Sequence, residues 1–224
     1  MFSTLLQRSS DGSDTLFVPE LDEHFHSVNG ALTEALHVYL QQGFLCSPGE
    51  EERRVLEVGF GTGLNGLVTL LEAHRRAIPT RYYAIEKYPL SPVLLRQLNY
   101  PGVLGEGSGE WFRAITEAPW GRPIRLSPLF ELTLLKEDFI TSALEGIPRV
   151  NVVYYDAFAP GKQPEMWSEA LFRKLYGRMA PGGVLVTYCA QGNVRRAMAS
   201  AGLRMERLPG PPGKREMLRG IKPD

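Results

Sequence analysis

Three groups of residues in this chain have types and spacings suited to chemistry. The first is the run Glu57-Val58-Gly59-Phe60-Gly61-Thr62-Gly63-Leu64-Asn65. Its glycines let a backbone approach a ligand closely, and an acid two residues before the first glycine suits a cationic amino-acid moiety. Read from Gly61, the same run matches G-x-G-x-x-G through Gly66, with Glu86 placed downstream where a nicotinamide dinucleotide needs a ribose partner. Two cofactor classes therefore fit. The position of Glu57, the Gly59-x-Gly61-x-Gly63 phasing and the length of the chain favour S-adenosylmethionine (SAM), whose methionine end carries an ammonium group.

The second group consists of acids at strand ends. Glu86 suits either cofactor, because a carboxylate accepts two hydrogen bonds from a ribose diol. Asp138 is a candidate acceptor for an adenine amine, or a cap for the turn that follows. The third group is Asp156-Ala157-Phe158-Ala159-Pro160. A carboxylate beside carbonyls held by a proline turn can accept hydrogen bonds from an amine. An amine must be neutral to attack, so Asp156 is expected to orient its lone pair or take its proton. Phe158 and Trp167 are either an aromatic wall beside a planar base or core residues.

These residues need a scaffold, and the hydrophobic pattern supplies one. Short apolar runs at 53–58, 81–85, 130–135, 150–155 and 184–189 read as buried strands, and 64–77, 92–98, 165–179 and 193–201 as helices between them. Segments 204–208 and 216–221 read as two strands around a Pro-Gly turn. The expectation is an α/β fold of the Rossmann-like class I SAM-dependent methyltransferase type, a mostly parallel seven-stranded sheet with a C-terminal antiparallel hairpin. Residues 1–50 form an N-terminal hairpin/helix extension and 51–224 the catalytic domain. Within it, 102–128 is a Gly-, Pro- and Trp-containing insertion with a helix at 110–117, too irregular for the sheet and a candidate lid.

At 224 residues, 43% hydrophobic and 22% charged, the composition is that of an ordinary globular domain. Cys46 and Cys189 fit neither a disulfide framework nor a zinc cluster, so no metal is expected and a reducing cytoplasm is the expected location. No stretch approaches a membrane span. The net charge is zero but uneven: residues 1–160 carry 13 basic and 20 acidic side chains, and 161–224 carry 12 and 5. This asymmetry suggests a polyanion met by the C-terminal part.

Several segments together resemble one family: Phe25-His26-Ser27-Val28-Asn29-Gly30-Ala31-Leu32-Thr33-Glu34, the Glu57–Asn65 run, Glu86-Lys87-Tyr88-Pro89-Leu90, Asp156-Ala157-Phe158-Ala159-Pro160, Pro164-Glu165-Met166-Trp167, Val194-Arg195-Arg196 and Lys214-Arg215-Glu216-Met217. They resemble the methyltransferase half of the MnmC family, which completes the 5-methylaminomethyl group of 2-thiouridine at the tRNA wobble position. The similarity keeps its order from about Asp11 to the C-terminus. It implies SAM as cofactor and the primary amine of 5-aminomethyl-2-thiouridine as methyl acceptor. Asp156, Phe158 and Pro160 are then catalytic. His26, Ser27, Gly30, Glu34, Glu57, Gly59, Phe60, Gly61, Gly63, Asn65, Glu86, Lys87, Asp138 and Asp156 hold the cofactor. Trp167, Arg195, Arg196, Lys214 and Arg215 meet the tRNA anticodon stem-loop.

Read from the residues alone, His24 and His26 are surface positions on a strand. The bifunctional members of that family continue into a flavin-dependent oxidoreductase, so this sequence looks like a standalone version that either receives its aminomethyl intermediate from an upstream tRNA-modifying enzyme or acts on a different substrate. Two other readings are an aminopropyltransferase similar to spermidine synthase, and a tRNA-binding protein without catalysis. The intact Gly59, Gly61, Gly63 and Asp156 argue against the latter.

Overall fold

Apolar strands in mid-sequence must be covered on both faces, and the chain meets this with a central sheet flanked by helices. The structure is a computed structural model and describes residues 3–47 and 52–224. An N-terminal hairpin, β1 (Leu5–Arg8) and β2 (Asp14–Val18), pairs with the short β3 (Glu23–His24) in a three-stranded antiparallel sheet. Helix α1 (Ala31–Glu34) runs directly into a wider-wound π segment, Ala35–Gln41.

The central sheet contains β4 (Arg53–Val58), β5 (Thr80–Ile85), β6 (Pro123–Ser127), β7 (Phe130–Leu135), β8 (Val150–Tyr155), β9 (Met179–Thr187), β10 (Arg204–Pro209) and β11 (Glu216–Ile221), in the order β10-β11-β9-β8-β4-β5-β7-β6. Pairings β7-β5-β4-β8-β9 are parallel, and both edges are antiparallel. The connecting helices are α2 (Leu64–Arg75), α3 (Pro92–Leu95), α4 (Tyr100–Leu104), α5 (Ser108–Thr116), α6 (Glu169–Arg178) and α7 (Gly192–Ser200).

The sheet has eight strands rather than seven. The additional one is β6, inside the segment expected to be too irregular for the sheet, and it pairs with β7 across a bulge at Arg125/Ser127. None of residues 102–128 lines the large cavity. The reason lies in α5, which buries Phe112 and Ile115 in the core that also holds Leu64, Leu67 and Val68 of α2. The helix expected over 165–179 is also split: Ser168 accepts a hydrogen bond from Leu171 N and starts α6 afresh after a 3₁₀ turn, Pro164–Trp167.

Two apolar layers sandwich the sheet. One joins Leu16, Ala35, Val38, Tyr39 and Phe44 of the N-terminal region to α2 and α5; the other contains Phe172 and Leu175 of α6 with Val194 and Met198 of α7. Residues 3–47 thus share a core with the sheet. No helix among the described residues is long and apolar enough to cross a membrane.

Candidate functional site

The carboxyl ends of β4, β5, β7 and β8 open into a cavity of about 580 Å³, the place where open α/β sheets bind ligands. Its floor is the glycine run. Gly59 has φ +91°, and a Cβ there would sit 2.4 Å from the Asp156 carbonyl oxygen, so the loop after β4 lies directly on the exit of β8. Only glycine permits that approach. Gly61 N donates to Glu86 Oε2 at 3.2 Å, and Tyr88 N to Glu86 Oε1 at 2.8 Å. Burial pushes the Glu86 carboxyl up, partly offset by these backbone donors. Phe60 lines the same floor, edge-on to Trp120.

Asp156 lies at the centre of a buried hydrogen-bond chain. Tyr39 OH donates to its Oδ1 at 2.6 Å and Asn65 Nδ2 to its Oδ2 at 2.8 Å. Asn65 Nδ2 also donates to Glu57 Oε1 at 2.9 Å, and Tyr82 OH to Glu57 Oε2 at 2.8 Å. Burial raises Asp156 to about 7, with the Tyr39 and Asn65 hydrogen bonds opposing it. A carboxyl titrating there exchanges a proton near neutrality.

Glu57 is not where a cofactor ammonium could reach it. It is fully buried, is absent from the cavity wall, and has both oxygens occupied. The cause is strand alternation: Val58 faces the cavity, while Glu57 faces α2 and the Tyr82 hydroxyl on β5. Asn65 and Gly63 likewise lie behind the wall, Asn65 as the bridge to Asp156 and Gly63 as the left-handed start of α2.

The opposite wall comes from the two ends of the chain. His26, expected at a surface, is buried, with Nε2 2.7 Å from Thr62 Oγ1. Glu34 Oε1 accepts from Ser27 N at 3.2 Å, and Glu34 Oε2 pairs with Lys214 Nζ. Lys214 Nζ also lies 3.9 Å from the centre of the Tyr188 ring. Lys214 is therefore a cavity residue neutralised by a buried acid, not a free phosphate contact. Gly30 is off the wall, packed against Asp11 at the start of α1.

The remaining candidates separate clearly. Asp138 and Lys87 both line the cavity but pair with each other at 2.8 Å, and Asp138 Oδ1 accepts from Ile140 N, so Asp138 caps its own turn. Phe158 lines the cavity, edge-on to Phe25 at 5.2 Å. Trp167 and Pro160 are buried and absent from the wall; Trp167 Nε1 holds the Phe158 carbonyl at 2.8 Å, which makes it a support for the loop rather than a surface for a nucleic-acid base.

Within the basic C-terminal stretch, Arg204 and Arg219 pair with Glu206, Arg207 with Glu216, and Lys222 caps carbonyls at the end of α6. Arg195, Arg196 and Arg215 form no ion pair among the described residues, and Arg196 and Arg215 are exposed. Sequence reasoning missed Tyr39, Thr62, Tyr100 and Tyr188. Tyr188 OH donates to the Ala157 carbonyl at 2.9 Å and so steadies the Asp156 turn.

Residues 122–223 match a family described as S-adenosyl-L-methionine-dependent methyltransferases. The tRNA 5-methylaminomethyl-2-thiouridine biosynthesis bifunctional protein MnmC of Pseudomonas fluorescens strain Pf-5 is 36% identical over 215 residues, covering 89% of this chain and 32% of the relative. Its counterpart from Cupriavidus metallidurans strain CH34 is 34% identical over 220 residues, covering 93% and 32%. The chain thus spans about a third of the length of these curated relatives. Among solved structures, MnmC2 from Aquifex aeolicus has the same fold, with a TM-score of 0.83 over 100% of this chain and 73% of that one at 23% identity. A probable spermidine synthase from Corynebacterium glutamicum reaches 0.55 over 99% and 80% at 14% identity.

Proposed function

We propose that this chain, which belongs to the S-adenosyl-L-methionine-dependent methyltransferases as a homologue of the methyltransferase domain of MnmC, methylates the aminomethyl nitrogen of 5-aminomethyl-2-thiouridine at the tRNA wobble position. The observation that carries the reading is Asp156, on the cavity wall beside Gly59, with each carboxylate oxygen held by one buried donor. Each oxygen keeps a lone pair for an incoming amine. The name of the relatives, which specifies 5-methylaminomethyl-2-thiouridine in tRNA, supplies the substrate.

The wall fits SAM: a glycine floor that no side chain could share, a strand-end carboxyl at Glu86 for the ribose, and the apolar Phe139 and Ile140 flanking Asp138 for an adenine. SAM supplies an electrophilic methyl group. The protein's part is then positional. Asp156 accepts a hydrogen bond from the substrate amine, takes its proton and leaves a lone pair for attack. Trp167 and Tyr188 fix the Phe158 and Ala157 carbonyls beside it. Phe158 and the Tyr188 ring offer faces against which the flipped base packs. Arg195, Arg196 and Arg215 contact anticodon-stem phosphates. The primary amine has to be generated upstream by a reaction that unmasks it.

The test is incubation of the protein with SAM and tRNA carrying 5-aminomethyl-2-thiouridine, followed by nucleoside mass spectrometry. Conversion to the methylaminomethyl nucleoside is expected, and SAM binding without conversion would move the substrate elsewhere.

A further inference from the structure

His26 lines the cavity, and its buried Nδ1 has no hydrogen-bond partner among the described residues. Its surroundings determine whether that nitrogen carries a proton. Tyr100 OH, at the start of α4, donates to Thr62 Oγ1 at 3.1 Å. Thr62 sits in the glycine run, is fully buried, and its oxygen lies 2.7 Å from His26 Nε2. With the Tyr100 proton directed at Thr62, the Thr62 proton is left for His26 Nε2, which must present its lone pair. Burial lowers His26 to about 4, so the ring is neutral at physiological pH and its single proton resides on Nδ1.

We propose that the Tyr100–Thr62 hydroxyl relay fixes His26 as the Nδ1–H tautomer, and that this buried N–H binds the methionine carboxylate of SAM, selecting it over cofactor analogues that lack a carboxylate. A carboxylate is an acceptor only and satisfies the orphan donor. Decarboxylated SAM, the donor used in aminopropyl transfer, carries an ammonium but no acceptor at that end and leaves the N–H buried and unpaired, which is unfavourable. His26 and Lys214 are then two positive ends of hydrogen-bond donors near one part of the wall, but Lys214 is already paired to Glu34. Among the buried side chains of the described residues that line the cavity, His26 is the one with an unassigned nitrogen. Thr62 and Tyr100 act through it as positioning residues, which gives the core-bound α4 a role in the site. The inference rests on SAM as the cofactor.

The chain has four histidines, so ¹⁵N-labelled imidazole spectra, with His26→Asn identifying the resonance, report the tautomer directly. The wild type is expected to show a protonated Nδ1 and an unprotonated Nε2, and the Nδ1 resonance to shift when SAM is added. Calorimetry with SAM and with decarboxylated SAM is expected to show a preference for SAM of about tenfold or more. Thr62→Val and Tyr100→Phe should mix the tautomers and shrink that preference while binding of the decarboxylated analogue persists, and Thr62→Ser should restore it. A protonated Nε2 in the wild type overturns the proposal, as does an undiminished SAM preference in folded Thr62→Val protein. Absence of binding to either compound in the wild type would instead remove the cofactor reading on which it rests.

Discussion

The two walls of the cavity are built by different means. The sheet wall consists of strand ends and a glycine loop, fixed by main-chain pairing on both sides: Gly59 lies against the Asp156 carbonyl, and Gly61 N is tied to Glu86. The other wall is assembled from side chains at opposite ends of the chain. Glu34 and Lys214 are 180 residues apart, and His37 Nε2 meets the Pro209 carbonyl across 172. The first wall is rigid because removing it means breaking the sheet. The second is held by the apolar core that the N-terminal segment shares with the sheet and by side-chain pairs such as Glu34–Lys214 and Asp22–Lys162. On the proposed function, reaction geometry falls to the first wall and selection of cofactor and substrate to the second.

If the sheet wall sets the geometry, its tightest point should be the least tolerant. Gly59→Ala places a methyl group 2.4 Å from a carbonyl oxygen at positive φ, and neither atom can yield without moving a strand end. Loss of measurable SAM binding by calorimetry is expected, with a lowered Tm. Retention of SAM affinity would show that this loop does not form the cofactor floor.

The next effect is chemical. Asp156→Asn keeps the shape but cannot take a proton, and methylation should fall on the order of 10²-fold or more with SAM affinity within several-fold of wild type. In the wild type the rate should rise with pH through about 7, as the carboxyl ionises, and level above it. The sign for stability is opposite. A carboxyl whose folded pKa is raised from 3.8 to about 7 binds more protons when folded, so its contribution is greatest at low pH and is lost as pH rises between those values. The Asn variant should lack that decline in Tm. Equal pH–rate profiles for the two proteins would assign the base elsewhere.

The contrast between the walls also explains what the sequence disclosed. Strands β4, β7, β8 and β11 begin and end where the apolar runs place them, and the loops after β4 and β8 carry the floor and Asp156, because these features are local. Glu57 was misplaced: spacing put it near the cofactor, but strand alternation turns it toward Tyr82. Tyr39 escaped notice because the π segment shifts it off ordinary helical spacing and onto Asp156. β6 was hidden by Pro123 at its start and a bulge near its end. The roles of Thr62, Tyr100 and Lys214 depend on partners 36, 38 and 180 residues away, which no spacing rule can reach.

The arm wall should give way more gently. Lys214→Met leaves Glu34, 3% exposed, as an unpaired buried carboxylate. Because the Lys214 side chain is itself partly exposed, the expected cost is about 1–3 kcal/mol rather than that of a fully buried pair. Adding Glu34→Gln removes the stranded charge, so the double variant should be more stable than Lys214→Met alone. Additive losses in the double-mutant cycle would mean that the pair does not hold the arms together.

The smallest effects should come from outside both walls. Of the basic residues between 195 and 222, Arg204, Arg207, Lys214 and Arg219 are already paired to acids and Lys222 to carbonyls. Arg195, Arg196 and Arg215 remain. Arg215 adjoins Lys214 of the arm wall, and α7, which bears the other two, begins four residues after the cavity residue Tyr188. Side chains so placed are suited to phosphates flanking a base turned into the cavity. Each phosphate contact releases counterions, so replacing Arg196 or Arg215 by glutamate should raise the tRNA KM several-fold. It should also reduce the slope of log affinity against log salt by somewhat less than one per contact, with SAM affinity and Tm unchanged. Arg207→Glu, whose native partner is Glu216, is the control: it should lower Tm and leave the salt slope intact. If filter binding across a salt series gives the Arg196 and Arg215 variants the same slope as the wild type, the RNA surface is not on this face.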